Sequence, residues 1–265
     1  EDVVLTAVSG GVPYTKTLTI AAAPEVIYLI DEDFSDVPVT ANGSLPSDGN
    51  WKKDATFPEG YQNGFVGVVG SGTDKYLRLS NTVADDVTHS VAHAFFPNAP
   101  RVGKLTLEFD INPRSGNYSN MWPSGNSSET ISGSNVFVRL PAKPGSVVVQ
   151  GLKGTEKTLA LTSGWHTFKL TADLDAKKFD FEVDAGQAGA QKMTNIAARD
   201  DATIIQQMNF GYARENTGES WIDNVKVYFD PMAALQLSVD QLAVGDPNSA
   251  SGNILLSTGA LDGAT

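Results

Sequence analysis

Two sets of carboxylates and one set of aromatic rings are the residues in this 265-residue chain best equipped for chemistry. Glu32, Asp33 and Asp223 form the first set. In Trp221-Ile-Asp-Asn-Val-Lys-Val-Tyr-Phe229, alternation counted back from Phe229, Val227 and Val225 puts Asp223 and Trp221 on the inward side. In Ile30-Asp-Glu-Asp-Phe34 the same period turns Glu32 inward with Ile30 and Phe34. If these first and last strands are neighbours, two inward acids repel and lose solvation. A hard cation such as calcium, held by carboxylate and carbonyl oxygens, relieves both penalties. Asp33 adds an oxygen from the adjoining loop. The plainer alternative has Asp223 capping turn amides or pairing with an Arg or Lys.

Glu108 and Asp110 form the second set, on the polar face of a strand whose Leu105, Leu107, Phe109 and Ile111 face the core. The aromatic rings matter because a pyranose lays its apolar face on a ring while polar neighbours take its hydroxyls. Trp122 lies in Tyr118-Ser-Asn-Met-Trp-Pro-Ser-Gly-Asn126, a polar stretch with no apolar periodicity to bury it. It is expected on an exposed loop, with Tyr118 beside it, binding a sugar or packing the loop. Trp51 and Tyr61 belong to a long irregular region, residues 40–63, and either flank the same cleft or pack beneath the loop, packing being favoured for Trp51. Trp165 and Trp221 sit within alternating strands and are read as core. His89, His93 and His166 make no zinc set, and no Gly-x-Ser-x-Gly elbow is present.

The elements that must position these groups are strands. Short period-two runs rich in Val, Leu, Phe and Thr recur between Gly, Pro, Asn and Ser clusters, as in Asn135–Leu140, Trp165–Thr171 and Lys178–Val183. The polar tip in Ala172–Lys178 reads as a hairpin. Only Asn195–Met208 has helical flavour, and it reads equally as loop plus strand. The fold class is therefore all-β, an antiparallel sandwich over residues 25–230. Residues 1–24 read as the last hairpin of an immunoglobulin-like module plus linker, and residues 231–265 as the start of another or an extended tail. The chain thus reads as a segment of something longer.

Thirty-one acidic against 19 basic residues give a formal charge of −12, which repels phosphate backbones and anionic lipid. Nucleic acid and membrane insertion are poor expectations, and a monomer is expected. With no cysteine there is no disulfide framework and no thiolate chemistry. Abundant Gly, Ser, Thr, Asn and Asp with few helix-forming stretches favours a secreted or cell-surface setting.

The order Ile30-Asp-Glu-Asp-Phe34, Gly49-Asn-Trp51, Leu107-Glu-Phe-Asp-Ile111, Gly164-Trp-His-Thr-Phe168 and Trp221-Ile-Asp-Asn-Val225 resembles concanavalin-like and laminin-G-like jelly-roll modules of secreted bacterial polysaccharide-degrading proteins. The resemblance implies a jelly roll in contact with a polysaccharide or oligosaccharide, flanked by neighbouring modules. It points the calcium to the same Glu32, Asp33 and Asp223. Laminarinase-like hydrolases of this fold place two glutamates and an aspartate on one strand face. Here Asn112, Pro113 or Arg114 stands where the second glutamate belongs, so the resemblance favours a non-catalytic binding module over a hydrolase or lyase. A structural or adhesive spacer is the third reading.

Overall fold

The computed structural model describes residues 2–9, 12–19, 26–53, 64–82, 90–125, 135–199, 204–212 and 216–230. The chain divides into two compact units, Glu1–Ile27 with Asp230–Thr265, and Tyr28–Phe229. In the first, β1 (Asp2–Ser9) and β2 (Val12–Thr19) pair as an antiparallel hairpin. Then follow β3 (Ile27–Glu32), β4 (Trp51–Lys53), β5 (Gly64–Ser71), β6 (Asp74–Asn81), β7 (Ser90–Phe95), β8 (Lys104–Gly116) and β9 (Ser119–Ser124). The remainder are β10 (Leu140–Lys143), β11 (Ser146–Val149), β12 (Lys157–Ala160), β13 (His166–Asp173), β14 (Lys178–Val183), β15 (Gln191–Ala197), β16 (Gln207–Tyr212) and β17 (Gly218–Phe229).

These strands form a seven-stranded sheet, β12-β11-β10-β9-β16-β7-β4, and an eight-stranded sheet, β15-β14-β13-β8-β17-β6-β5 with β3 also on β17. The chain crosses between sheets from β7 to β8 to β9, and again from β15 to β16 to β17. The fold is an antiparallel jelly-roll sandwich. Asn195–Met208 holds no helix among its described residues; it joins the end of β15 to the start of β16.

Alternation builds the core. Leu105, Leu107, Phe109 and Ile111 of β8 are buried, as are Phe168, Leu170 and Ala172 of β13 and Phe179, Phe181 and Val183 of β14. From the other sheet Met208, Phe210 and Tyr212 of β16 face them, and Phe109 meets Phe210 edge to face, with ring centroids 5.2 Å apart. Rings at this separation contribute beyond their buried area. The β13–β14 hairpin turns at residues 174–177, where Asp173 Oδ1 accepts the Ala176 N–H at 2.8 Å. Gly72, at φ 60°, supplies the left-handed residue that the β5–β6 hairpin needs.

The long strand β17 breaks strict alternation. Its register against β8 slips between Asp223 and Lys226, and Asn224 takes φ 50°. Ile222 and Val225 both face the core, three residues apart. A bulge of this kind reverses side-chain parity on its far side. Trp221 and Asp223, expected inward, therefore lie on the outward face of the eight-stranded sheet.

Candidate functional site

Asp223 stands opposite Asp110 on the outer face, half-buried. Lost solvation, and next the charges of Asp110, Asp33 and Asp74, push its carboxyl up to about 6 against the lowering effect of the Asn224 N–H, 2.8 Å away. Glu32 and Asp33 cap a turn: Glu32 Oε1 accepts the Phe34 N–H at 2.6 Å and Asp33 Oδ1 the Ser35 N–H at 2.9 Å. Burial raises the Glu32 carboxyl, whereas hydrogen bonds from Ser35 lower that of Asp33. First and last strands are neighbours, since β3 pairs with β17. Yet among the described residues no three of His, Asp and Glu stand close enough to share a metal ion, so Glu32, Asp33 and Asp223 are not assembled as one ligand set.

Glu108 and Asp110 face outward as expected and are held by neighbours. Thr167 Oγ1 and Asn224 Nδ2 donate to the two Asp110 oxygens at 2.6 and 2.8 Å. Glu108 accepts from the Tyr228 hydroxyl at 3.3 Å and lies 3.7 Å from Lys169 Nζ. These are the contacts of a cross-linked strand face.

Trp122 is the main departure from expectation. It belongs to β9, inside the seven-stranded sheet between β10 and β16, and only 8% of it is exposed, beside Val91 and Val136. The Gly and Ser around it concealed a strand whose Met121 faces the core while Trp122 faces the opposite side. Lys52, His93, Asn209 and Trp122 are successive register partners across four strands. Asn209 Nδ2 donates to the Trp122 carbonyl at 2.9 Å and to Ser124 Oγ at 3.2 Å. His93 and Asn209 are 2% and 0% exposed, so the middle of this row is closed to solvent. Tyr118 is half-buried under the Lys143 ammonium, 4.7 Å from its ring centroid. Trp51 is core, packed between Phe34 and Phe210 at 5.3 and 6.1 Å. Tyr61 and His89 lie outside the described residues.

The open aromatic surface is on the other sheet, made by the two tryptophans expected in the core. Tyr76 of β6 stacks on Trp221 of β17 at 4.4 Å and 28°, and Trp165 stands 5.9 Å from Tyr76 and 6.2 Å from Trp221. Trp165 is 42% exposed, the only tryptophan among the described large hydrophobics so open. Polar groups frame the rings. Arg78 binds Glu219 through Nε and Nη2 at 3.0 and 2.6 Å, and Trp221 Nε1 donates to the other Glu219 oxygen at 2.8 Å. The Arg114 guanidinium lies 4.3 Å from the Trp221 ring centroid.

Trp165 is positioned from behind. The next residue, His166, is buried, with Nδ1 2.7 Å from Asp184 Oδ2 and Nε2 3.0 Å from the Thr162 carbonyl. Asp184 Oδ1 also accepts the Thr167 N–H at 2.9 Å. Gly164, at φ 111°, lets the chain turn outward just before the ring. A readable signal existed for both tryptophans: a Gly immediately precedes Trp165, and Asn224, a residue tolerant of positive φ, interrupts the β17 run.

No protein-family model matches the chain, and no curated protein matches it. Solved structures share its fold. A carbohydrate esterase from the Shiga toxin-encoding bacteriophage phi24B is similar at 14% identity and a TM-score of 0.52, over 77% of this chain and 99% of that one. A family 11 carbohydrate-binding module from Clostridium thermocellum, in complex with a β-1,3-1,4-mixed-linked tetrasaccharide, is similar at 16% identity and a TM-score of 0.36, over 75% and 95%. A sialidase aligns at 17% identity and a TM-score of 0.48, over 75% of this chain and 18% of its own. The likeness to the esterase, at 14% identity, is one of fold alone.

Proposed function

We propose that the sandwich is a non-catalytic carbohydrate-binding module, an accessory to a larger extracellular polysaccharide-degrading protein. The observation that carries this reading is the exposed Trp165 ring, clustered with the half-buried Tyr76 and Trp221 and set beside Arg78, Glu219 and Arg114. Cross-strand ring pairs stabilise the sheet face, and the open Trp165 ring beside charged side chains adds what a pyranose needs, an apolar platform with polar neighbours. Trp122, with 8% exposure, offers no open ring face and supports the sheet instead. Against a hydrolase stands the engagement of Glu108 and Asp110 by their neighbours.

Calcium belongs to the same proposal as a structural ion at Asp223, with Asp33 as a second oxygen donor. Its support is the pairing of β3, which ends at Glu32, with β17, on which Asp223 stands opposite Asp110. When bound, the ion would supply positive charge to these carboxylates beyond that of Lys75, which holds the Ser35 and Val37 carbonyls.

The test of binding is affinity electrophoresis and calorimetry against a panel of soluble polysaccharides. Ring stacking at roughly 0.5–1.5 kcal/mol predicts that Trp165→Ala weakens binding several-fold while the melting temperature barely moves. Unchanged affinity of Trp165→Ala for a glycan that the wild type binds rejects this surface. Sugar release by the purified protein, abolished in Glu108→Gln, rejects the non-catalytic reading.

A further inference from the structure

The ring surface carries one cation, Arg114, that no carboxylate among the described residues pairs with. Between Glu219 and Ser220 the register of β17 on β8 slips: Ser220 faces Pro113 and Glu219 faces Ser115, leaving Arg114 as the extra residue of a bulge. Such a bulge releases a side chain from the ladder and re-aims it. Arg114 is re-aimed over Trp221, 4.3 Å from the ring centroid. The other arginine here, Arg78, is taken by Glu219, whose second oxygen is taken by the Trp221 indole N–H. Glu219 is thus engaged at both oxygens, and among the described residues no carboxylate pairs with Arg114.

In a chain with 31 acidic residues against 19 basic ones, an exposed guanidinium left unpaired beside a sugar-sized aromatic surface calls for an external anion. Contact with the indole face holds the guanidinium at this site, and its N–H groups, with which no described carboxylate pairs, suit bidentate capture of an oxyanion. A ring stacked on Trp165 has its anionic group directed to Arg114, which stands on the neighbouring Trp221.

We propose that this surface selects an acidic sugar, a pyranose bearing a carboxylate or a sulfate ester, whose oxyanion is held by Arg114 while its ring stacks on Trp165. The proposal rests on the carbohydrate-binding reading above and adds the class of glycan.

The test compares each acidic chain with its neutral counterpart: oligogalacturonate with its methyl ester, and a sulfated galactan oligosaccharide with its desulfated form. Calorimetry on the full chain should show the wild type binding at least one acidic form about tenfold or more tighter than its neutral partner, as for a hydrogen bond to a charged group. Which pair discriminates identifies the oxyanion. Arg114→Gln should bring the two affinities together, and Arg114→Lys should recover only part of the difference. Raised salt should weaken only the acidic ligand. Equal wild-type affinity for acidic and neutral forms, or discrimination that survives in Arg114→Gln, overturns the selection while leaving sugar binding intact. Binding to none of these chains nor to neutral glucans overturns the carbohydrate reading itself.

Discussion

Asp223→Asn is the sharpest physical test of the outward face. The wild-type carboxyl rises from its model-compound value of 3.8 to about 6, chiefly because burial removes water and then because Asp110, Asp33 and Asp74 oppose its charge. A raised acid pKa means that the folded protein holds the proton more tightly than the unfolded chain does. Stability is therefore unpenalised below about pH 4 and falls as pH climbs through about 6. Two units at about 1.4 kcal/mol each set a ceiling of about 3 kcal/mol. Asp223 is only half-buried, and solvent screening reduces this to about 1 kcal/mol. Asparagine keeps an oxygen to accept the Asn224 N–H and carries no charge. In chelator, wild type and variant should melt alike at pH 3.5, and by pH 7 the variant should lead by about 1 kcal/mol, roughly 2–4 °C for a domain of this size. Thermal melts between pH 3.5 and 7.5 measure the difference, which cancels the other titrating groups. A gap that does not change with pH, or a wild type that leads at pH 7 in chelator, refutes the reasoning. Millimolar calcium should then raise the wild type at pH 7, by roughly 2.7 kcal/mol at a hundredfold excess over Kd, and leave Asp223→Asn unmoved. Identical wild-type melts with calcium and with chelator dispose of the ion.

Phe210→Ala, which empties space against Phe109 and Trp51, should destabilise by about 3–5 kcal/mol, as should Trp122→Ala, whereas Trp165→Ala should stay within about 1 kcal/mol. Denaturant titrations distinguish these, and a large loss from Trp165→Ala places that ring in the core. Asp184→Asn exchanges the charged partner of His166 Nδ1 for a neutral one and should lower stability by about 1–3 kcal/mol. It should also weaken glycan affinity through Trp165, and affinity unchanged at full stability removes the positioning role. Residues 25–230 alone should melt in one cooperative transition, since both sheets lie within Tyr28–Phe229 apart from the first residue of β3; a broad, non-cooperative melt shows the ends to be required.

The sequence by itself determined the strands and most of the core. Alternation in Lys104–Ile111, Trp165–Thr171 and Lys178–Val183 is a local property of the backbone, and Leu107, Phe109, Phe168 and Phe181 are buried where it puts them. Outward Glu108 and Asp110 followed from the same period. What period two cannot carry past is a bulge: one added residue near Asn224 turned Trp221 and Asp223 from core to surface, and another released Arg114. Nor does local pattern show how many layers cover a strand. Trp122, in a polar stretch with no apolar rhythm, is closed off on the outward face of a central strand, while Trp165, in an apolar rhythm, is open because Gly164 and the His166–Asp184 pair set the edge of β13. The partnership of Arg78 with Glu219 joins residues 141 positions apart. Such contacts exist only once β6 and β17 lie side by side, so the surface that assembles Tyr76, Trp165, Trp221 and Arg114 is a product of sheet topology, which no single strand encodes.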